Sequence, residues 1–269
     1  MISETANAPA EARPSPIGDD NAEIVLEARQ ITKELGRGAG KVRALKGVNL
    51  SLRAGELTLL MGPSGSGKTT LLSILGCILT PTEGSLSVAG HSTAGLSPEQ
   101  LADLRRQHIG FIFQSYNLFP TLTAEENVRV ALDVRGKRGS QAVVVAQRAL
   151  HRVGLRHKLK SYPGNMSGGE QQRVAVARAL AGSPSVMLAD EPTAALDSDN
   201  GLAVMQLLSE IAKDKSRAVL AVTHDPRTVP FANRVLRIED GIIVGEERRA
   251  EGIETIHELA RNRKRKANA

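Results

Sequence analysis

Leu57-Thr58-Leu59-Leu60-Met61-Gly62-Pro63-Ser64-Gly65-Ser66-Gly67-Lys68-Thr69-Thr70 is the stretch that decides the fold. An apolar run ends at glycine, as a strand buried on both faces and feeding a tight loop should. Thr69 to about Leu79 then reads as a helix stopped by Pro81. With glycine at 62, 65 and 67, the loop can turn its backbone N–H groups around a phosphate chain, because no side chains obstruct it. The helix that follows points its positive dipole end at the same anion. Lys68 is placed to reach the outer phosphates, and the Thr69 hydroxyl to offer oxygen to a metal ion. Gly62 through Thr70 are the candidate nucleotide-binding residues.

Working outward, other short runs read as strands. They are Ile24–Ala28, Val48–Leu52 and Ser85–Val88 on the N-terminal side, then His108–Gln114, Val186–Ala189 and Ala218–Thr223. Asp240-Gly241 between Val235–Ile238 and Ile242–Val244 is a hairpin turn signal. Strands alternating with helices argue an α/β core built on a parallel sheet. From about 115 to 165 the composition is helical, apart from a valine cluster at Val143–Val145. Residues 1–22, rich in Ala, Pro and acidic residues, read as a disordered extension. The domain is expected over 23–248, followed by a short helix and basic tail over 249–269.

Net charge is +6, yet Arg261, Arg263, Lys264, Arg265 and Lys266 lie together near the end. The rest of the chain is close to neutral, so no nucleic-acid-binding face is indicated. A single cysteine, Cys77, excludes an internal disulfide and a cysteine-cluster metal site, and its apolar setting reads as a buried, inert thiol. No run of roughly 18 apolar residues is present, so no membrane span is expected. The first residues lack the apolar region of a secretory signal, which favours the cytoplasm.

Asp190-Glu191 follows Val186-Met187-Leu188-Ala189, so two carboxylates stand at a strand end. The first suits magnesium (Mg2+) held through water, and the second suits polarising an attacking water. Gln114 ends another strand and His224 a third, where they suit the lytic water and the outer phosphate. Met166-Ser167-Gly168-Gly169-Glu170-Gln171-Gln172-Arg173 opens a second helix with a second glycine-rich turn, an anion site without a lysine partner.

The order of these motifs is similar to that of the nucleotide-binding subunits of ABC transporters. The resemblance runs from about Ile24 to Glu247. It implies a P-loop nucleotidase α/β core with a mixed sheet, an N-terminal antiparallel β-subdomain and a helical subdomain carrying the Ser167 signature. It implies ATP and Mg2+, with Thr69, Gln114 and Asp190 toward the metal and Glu191, Gln114 and His224 catalytic. It further implies that Ser167, Gly168 and Gly169 meet the ATP held by a second ATPase subunit in a head-to-tail homodimer. Asp197, in Ala194-Ala195-Leu196-Asp197, resembles the loop by which the two sites sense each other. The expected partners include integral-membrane permease subunits at the cytoplasmic face of the inner (plasma) membrane, and no nucleic acid.

Gly62–Leu75 and Phe111–Pro120 look most like ATPases of the macrolide-export, lipoprotein-release and cyanobacterial glycolipid-export kind. A membrane signalling complex of the cell-division type, without transport, is the alternative. In family terms the segment after Gln114 faces the membrane subunit, making Tyr116, Leu118 and Phe119 candidate contacts, with burial as the competing reading. The chain departs from the pattern mildly at Met166 and Glu170. It departs more sharply at Leu35, where the family usually stacks adenine on an aromatic. Adenine is expected to rest on Leu35, with Arg37 or Arg43 as the stacking guanidinium.

Overall fold

The computed structural model describes residues 22–248. The expectations for the N-terminal extension and for the basic tail lie outside them. The described chain opens with two long strands, β1 (Ile24–Leu35) and β2 (Val42–Arg53), paired antiparallel so that Leu35 lies opposite Val42. With β4 (Glu83–Val88) and β5 (His91–Ser92) they make a four-stranded antiparallel sheet in the order β2-β1-β4-β5.

The second sheet holds β3 (Leu57–Met61), β6 (Ile109–Ile112), β7 (Val186–Asp190), β8 (Ala218–Val222), β9 (Arg234–Glu239) and β10 (Ile242–Arg248). Its order is β10-β9-β3-β8-β7-β6, with β9, β3, β8, β7 and β6 parallel and β10 antiparallel at the edge. β3 and β8 are buried at every position because both faces of this sheet are covered. Leu59, Met187 and Val219 face one core, shared with the helical part, whereas Leu60, Leu188 and Leu220 face another under the antiparallel sheet. That two-sided burial is why these strands read as unbroken apolar runs rather than alternating ones.

Helix α1 (Lys68–Leu75) is shorter than expected. It stops well before Pro81, because Cys77 adopts a left-handed φ of 53° and the Ile78 N–H turns back to the Ser73 carbonyl at 2.9 Å. Helix α2 (Pro98–His108) was not anticipated, although Ser97-Pro98-Glu99-Gln100 signals a capping box with proline at the first helical position. The helical span carries α3 (Ala124–Val134) and α4 (Gly139–Arg152), and the valine cluster lies inside α4. Then follow α5 (Gly168–Leu180) and α6 (Ser198–Ala212). Among the described residues no helix is long and apolar enough to cross a membrane.

The Asp240-Gly241 turn forms as read, with φ of 46° and 77°. Gly241 also has no room for a side chain: a Cβ there would stand 2.5 Å from the Ala44 carbonyl oxygen. Its N–H donates to the Ser66 carbonyl at 3.1 Å, which anchors the hairpin to the glycine-rich loop.

Asn127, fully buried on α3, ties down the loop that precedes its helix. Its Oδ1 accepts from the Phe119 N–H at 2.8 Å, and its Nδ2 donates to the carbonyls of Phe119, Leu122 and Thr123 at 3.1, 2.9 and 3.0 Å. Asn127→Ala is expected to lower stability by about 2–3 kcal/mol, because the Phe119 N–H and the loop carbonyls lose their side-chain partner. Urea denaturation measures this, and an unchanged midpoint would mean that the loop is held by other contacts.

Candidate active site

Parallel strands end on the same edge of a sheet, and in open α/β sheets that edge is where ligands bind. The glycine-rich loop follows β3, His224 follows β8, Asp190 and Glu191 close β7, and Gln114 lies just after β6. Neighbouring strands therefore bring together four motifs that are widely separated in sequence.

The loop is clasped from behind. Gly67 has φ 97°, and a Cβ on it would stand 2.7 Å from the Ala44 carbonyl oxygen and 2.9 Å from Leu45 Cδ2. Only glycine meets both demands without strain. Lys68 Nζ donates to the carbonyls of Gly62 and Pro63 at 2.8 and 2.7 Å, so the ammonium lies across the loop's own mouth. Thr69 is exposed in the first turn of α1 and Ser66 is buried beneath the loop.

Burial pushes the Asp190 carboxyl up, Glu191 beside it adds to that, and Lys68 pulls it back. A half-buried carboxylate with an acidic neighbour gains from a cation. The oxygen donors of Thr69, Asp190 and Gln114 are the hard ligands that magnesium prefers, so the residue set fits that ion. Glu191 has a left-handed φ of 45°. Its backbone N–H donates to the Val222 carbonyl at 3.0 Å, locking the turn to the end of β8. Its carboxylate oxygens lie 3.0 and 3.1 Å from His224 Nδ1.

The second glycine-rich turn is a reciprocal cap. Ser167 Oγ accepts from the Glu170 N–H at 3.2 Å, and Glu170 Oε2 accepts from the Ser167 N–H at 2.9 Å. Gly168 and Gly169 pack closely on other motifs, against the Tyr116 hydroxyl and the Asn200 amide respectively. Asp197 caps α6 and holds that same Asn200, accepting from its backbone N–H at 2.9 Å and from Nδ2 at 2.8 Å. Ser167 and Asp197 thus belong to one neighbourhood. Among the described residues no hydrogen bond or ion pair joins that neighbourhood to the loop 62–69.

Two arrangements carry no legible sequence signal. Arg178 on α5 donates through Nη2 to the Tyr116 carbonyl at 2.8 Å and through Nη1 to that of Asn117. Tyr116 and Asn117 both have left-handed φ, 58° and 49°, so this clamp holds a strained strap just after Gln114. Arg227 forks onto Asp225, at 3.0 and 2.7 Å, and also reaches Ser198 Oγ at 2.7 Å, linking the His224 turn to α6. Of the candidate docking residues, Leu118 packs against the core and Tyr116 is half-buried, whereas Phe119 is exposed. Leu35 is 40% exposed at the end of β1 beside Val42 at 65%. Arg43 Nε lies 3.8 Å from Glu34, and its side chain remains half exposed.

The Ser167 backbone N–H, with help from Lys158 at 3.2 Å, holds the Glu170 carboxyl below its ordinary value of 4.5 against the opposing effect of burial. A folded-state pKa below the unfolded one gives stability that is present above the unfolded value and lost as pH falls through the folded one. Glu170→Gln is expected to cost up to about 1 kcal/mol at neutral pH. The difference from wild type should fade in acid, below the ordinary glutamate value. Urea titrations across that range measure it; a difference independent of pH would remove the charge argument.

Comparison with known proteins agrees with this geometry. The family model described as ABC transporter matches residues 45–194. The macrolide export ATP-binding/permease protein MacB of Shigella flexneri is 46% identical over 220 residues, covering 82% of this chain and 34% of that protein. The chain thus spans about a third of the length of the curated relatives it matches. The dimeric post-hydrolysis structure of the ATP-binding cassette MJ0796, bound to ADP and Pi, superposes with a TM-score of 0.75 at 41% identity, covering 83% of this chain and 98% of that one. CbiO1 from Clostridium perfringens, part of the ABC transporter complex cbiONQ, gives a TM-score of 0.74 at 27% identity over 91% of this chain and 94% of that one. With the motifs converging on one sheet edge and the family match covering the phosphate loop, Gln114 and the Asp190-Glu191 pair, this chain belongs to the ABC transporter family as one of its ATPase cassettes.

Proposed function

We propose that this chain drives a membrane export complex, working as a head-to-tail homodimer on the cytoplasmic face of the inner (plasma) membrane. The observation that carries the reading is a division of labour within the chain. One sheet edge gathers the phosphate loop, Gln114, Glu191 and His224, while the Ser167 cap sits in a separate neighbourhood with Asp197. A second copy supplies what one copy lacks, and the dimeric arrangement of MJ0796 supports that pairing. Likeness to a macrolide export protein supports the direction of transport.

In this reading the N–H groups from Ser64 to Thr70 cradle the ATP phosphates, and Lys68 leaves its own loop carbonyls to meet them. Thr69, Asp190 and Gln114 would hold magnesium, which would supply charge compensation on the phosphate oxygens. Glu191 takes a proton from the attacking water as its oxygen bonds to the γ-phosphorus and the bond to the bridging oxygen of ADP breaks. His224, already at the Glu191 carboxylate, orients that base and turns toward the γ-phosphate. Ser167, Gly168 and Gly169 offer their helix terminus to the partner's ATP, and Asp197 beside them relays its state. Membrane subunits meet the face near Phe119.

Glu191→Gln is expected to lower ATP turnover by about 10²–10⁴-fold while leaving nucleotide binding intact, the usual worth of a general base. With ATP and magnesium this variant should accumulate as a closed dimer and recover a multi-span permease from native membranes. A closed dimer without a membrane protein would count against the transport assignment; no closed dimer would count against the site.

With Leu35 and Val42 in place of an aromatic, adenine rests on an aliphatic ledge and loses stacking worth about 1 kcal/mol. ATP and GTP should therefore be hydrolysed at similar rates, and Leu35→Tyr should tighten ATP binding by about that amount. A strong ATP preference in wild type would contradict this.

A further inference from the structure

β10 closes one edge of the six-stranded sheet, and its apolar residues divide between two faces. Ile243 packs inward on the core beneath the antiparallel sheet, whereas Ile242 and Val244 are 45% and 55% exposed. The register shifts between Ile243 and Gly245, which leaves Val244 out of the ladder with β9. Edge strands are usually blunted by charge or covered by another element. Among the described residues neither Ile242 nor Val244 belongs to a core cluster.

Charge along the strand is uneven. At its end, Arg248 meets Glu56 and Glu246 at 3.6 and 3.0 Å, Glu246 meets Arg234 at 2.8 Å, and Glu247 meets Arg237 at 3.1 Å. At its start the turn exposes Glu239 and Asp240. Among the described residues neither of those carboxylates takes a hydrogen bond or an ion pair.

The chain itself supplies what this surface lacks. Beyond Arg248, Arg249-Ala250-Glu251-Gly252 leaves room to reverse direction, with glycine just before the apolar residues. Ile253, Ile256 and Leu259 follow at a spacing that puts them on one face of a helix, with Glu254 and Glu258 on the other. Arg261, Arg263, Lys264, Arg265 and Lys266 come next. The lengths match: a strand from Arg248 back to Ile242 covers about 20 Å, and a helix from Ile253 to Lys266 also covers about 20 Å.

We propose that residues 249–266 fold back along β10 of their own chain. Ile253, Ile256 and Leu259 cover Val244 and Ile242, and the basic run at 261–266 reaches Glu239 and Asp240. A lipid surface would engage the basic run but leave Ile242 and Val244 bare. A second copy would have to displace a segment that the chain holds at high local concentration. The seat does not depend on a membrane partner. It bears on the phosphate loop, because the Gly241 N–H holds the Ser66 carbonyl at 3.1 Å and covering β10 stiffens the hairpin that makes this clasp.

The test is disulfide formation in the full chain carrying Val244→Cys with Leu259→Cys, against Val244→Cys with Glu258→Cys on the opposite face. Cys77 can remain, since it is buried and burial pushes its thiol up to about 11. An intrachain bond is expected to form at least about fivefold faster with Leu259→Cys than with Glu258→Cys, because the bond demands close, well-aligned Cβ atoms. About 0.5 M salt, or Glu239→Gln with Asp240→Asn, should slow it. ATP turnover of the reduced variants, expected at the wild-type level, reports that they fold. Equal rates for the two pairs overturn the proposal. Interchain bonds assign β10 to a second copy and overturn it as well. Loss of the intrachain bond on phosphatidylglycerol vesicles, with the chain sedimenting on them, assigns the segment to lipid and has the same consequence. A fast intrachain bond indifferent to salt and to the neutralised pair overturns the contact with Glu239 and Asp240.

Discussion

The carbonyl oxygen of Ala44 is the point on which three parts of the molecule close. It stands where the side chains of residues 67 and 241 would be, so both are glycine. Through it the antiparallel sheet, the phosphate loop and the β9–β10 turn approach backbone to backbone, and the Gly241 N–H completes the clasp on Ser66. A loop that must present N–H groups to an anion has few internal hydrogen bonds of its own. Its shape is imposed from outside, and that requires close packing without side chains.

Charge at the sheet edge is arranged around the same need. Lys68, Asp190, Glu191 and His224 lie along this edge, and Lys68, Glu191 and His224 hold contacts that can be exchanged. Lys68 uses carbonyls of its own loop, and Glu191 uses His224. Asp190 bears the effect of burial and of its acidic neighbour. Such groups can respond to an incoming polyphosphate because their present partners, loop carbonyls for Lys68 and a histidine for Glu191, can be exchanged.

The helical part is coupled to this edge by contacts that cross the chain. Arg178 grips the strap beyond Gln114, the Tyr116 hydroxyl reaches toward the Ala195 carbonyl at 3.4 Å, and Asn200 joins the signature helix to the Asp197 cap. Helix α5 thus contacts both the strap and the α6 cap. It runs from the signature serine at its start to Arg178 near its end.

Local sequence determined much of this protein. The apolar runs of β3, β7 and β8, the glycine spacing from 62 to 67, the Asp240-Gly241 turn and the order of the polar strand ends follow from periodicity and backbone preference. These are short-range properties, whereas the candidate catalytic set of Gln114, Glu191 and His224 rested on the resemblance of their order in the chain to the family's. Even α2 was legible in Ser97 to Gln100, and α1 ended early through a local left-handed turn at Cys77 that leaves no strong composition signal. Tertiary structure alone decided which partners the arginines take. Arg43 turns to Glu34, Arg178 to two carbonyls sixty-one and sixty-two positions away, and Arg135 lies over Gly182. A long, flexible cation can reach many acceptors, and which one it meets depends on how distant segments pack rather than on its neighbours in sequence.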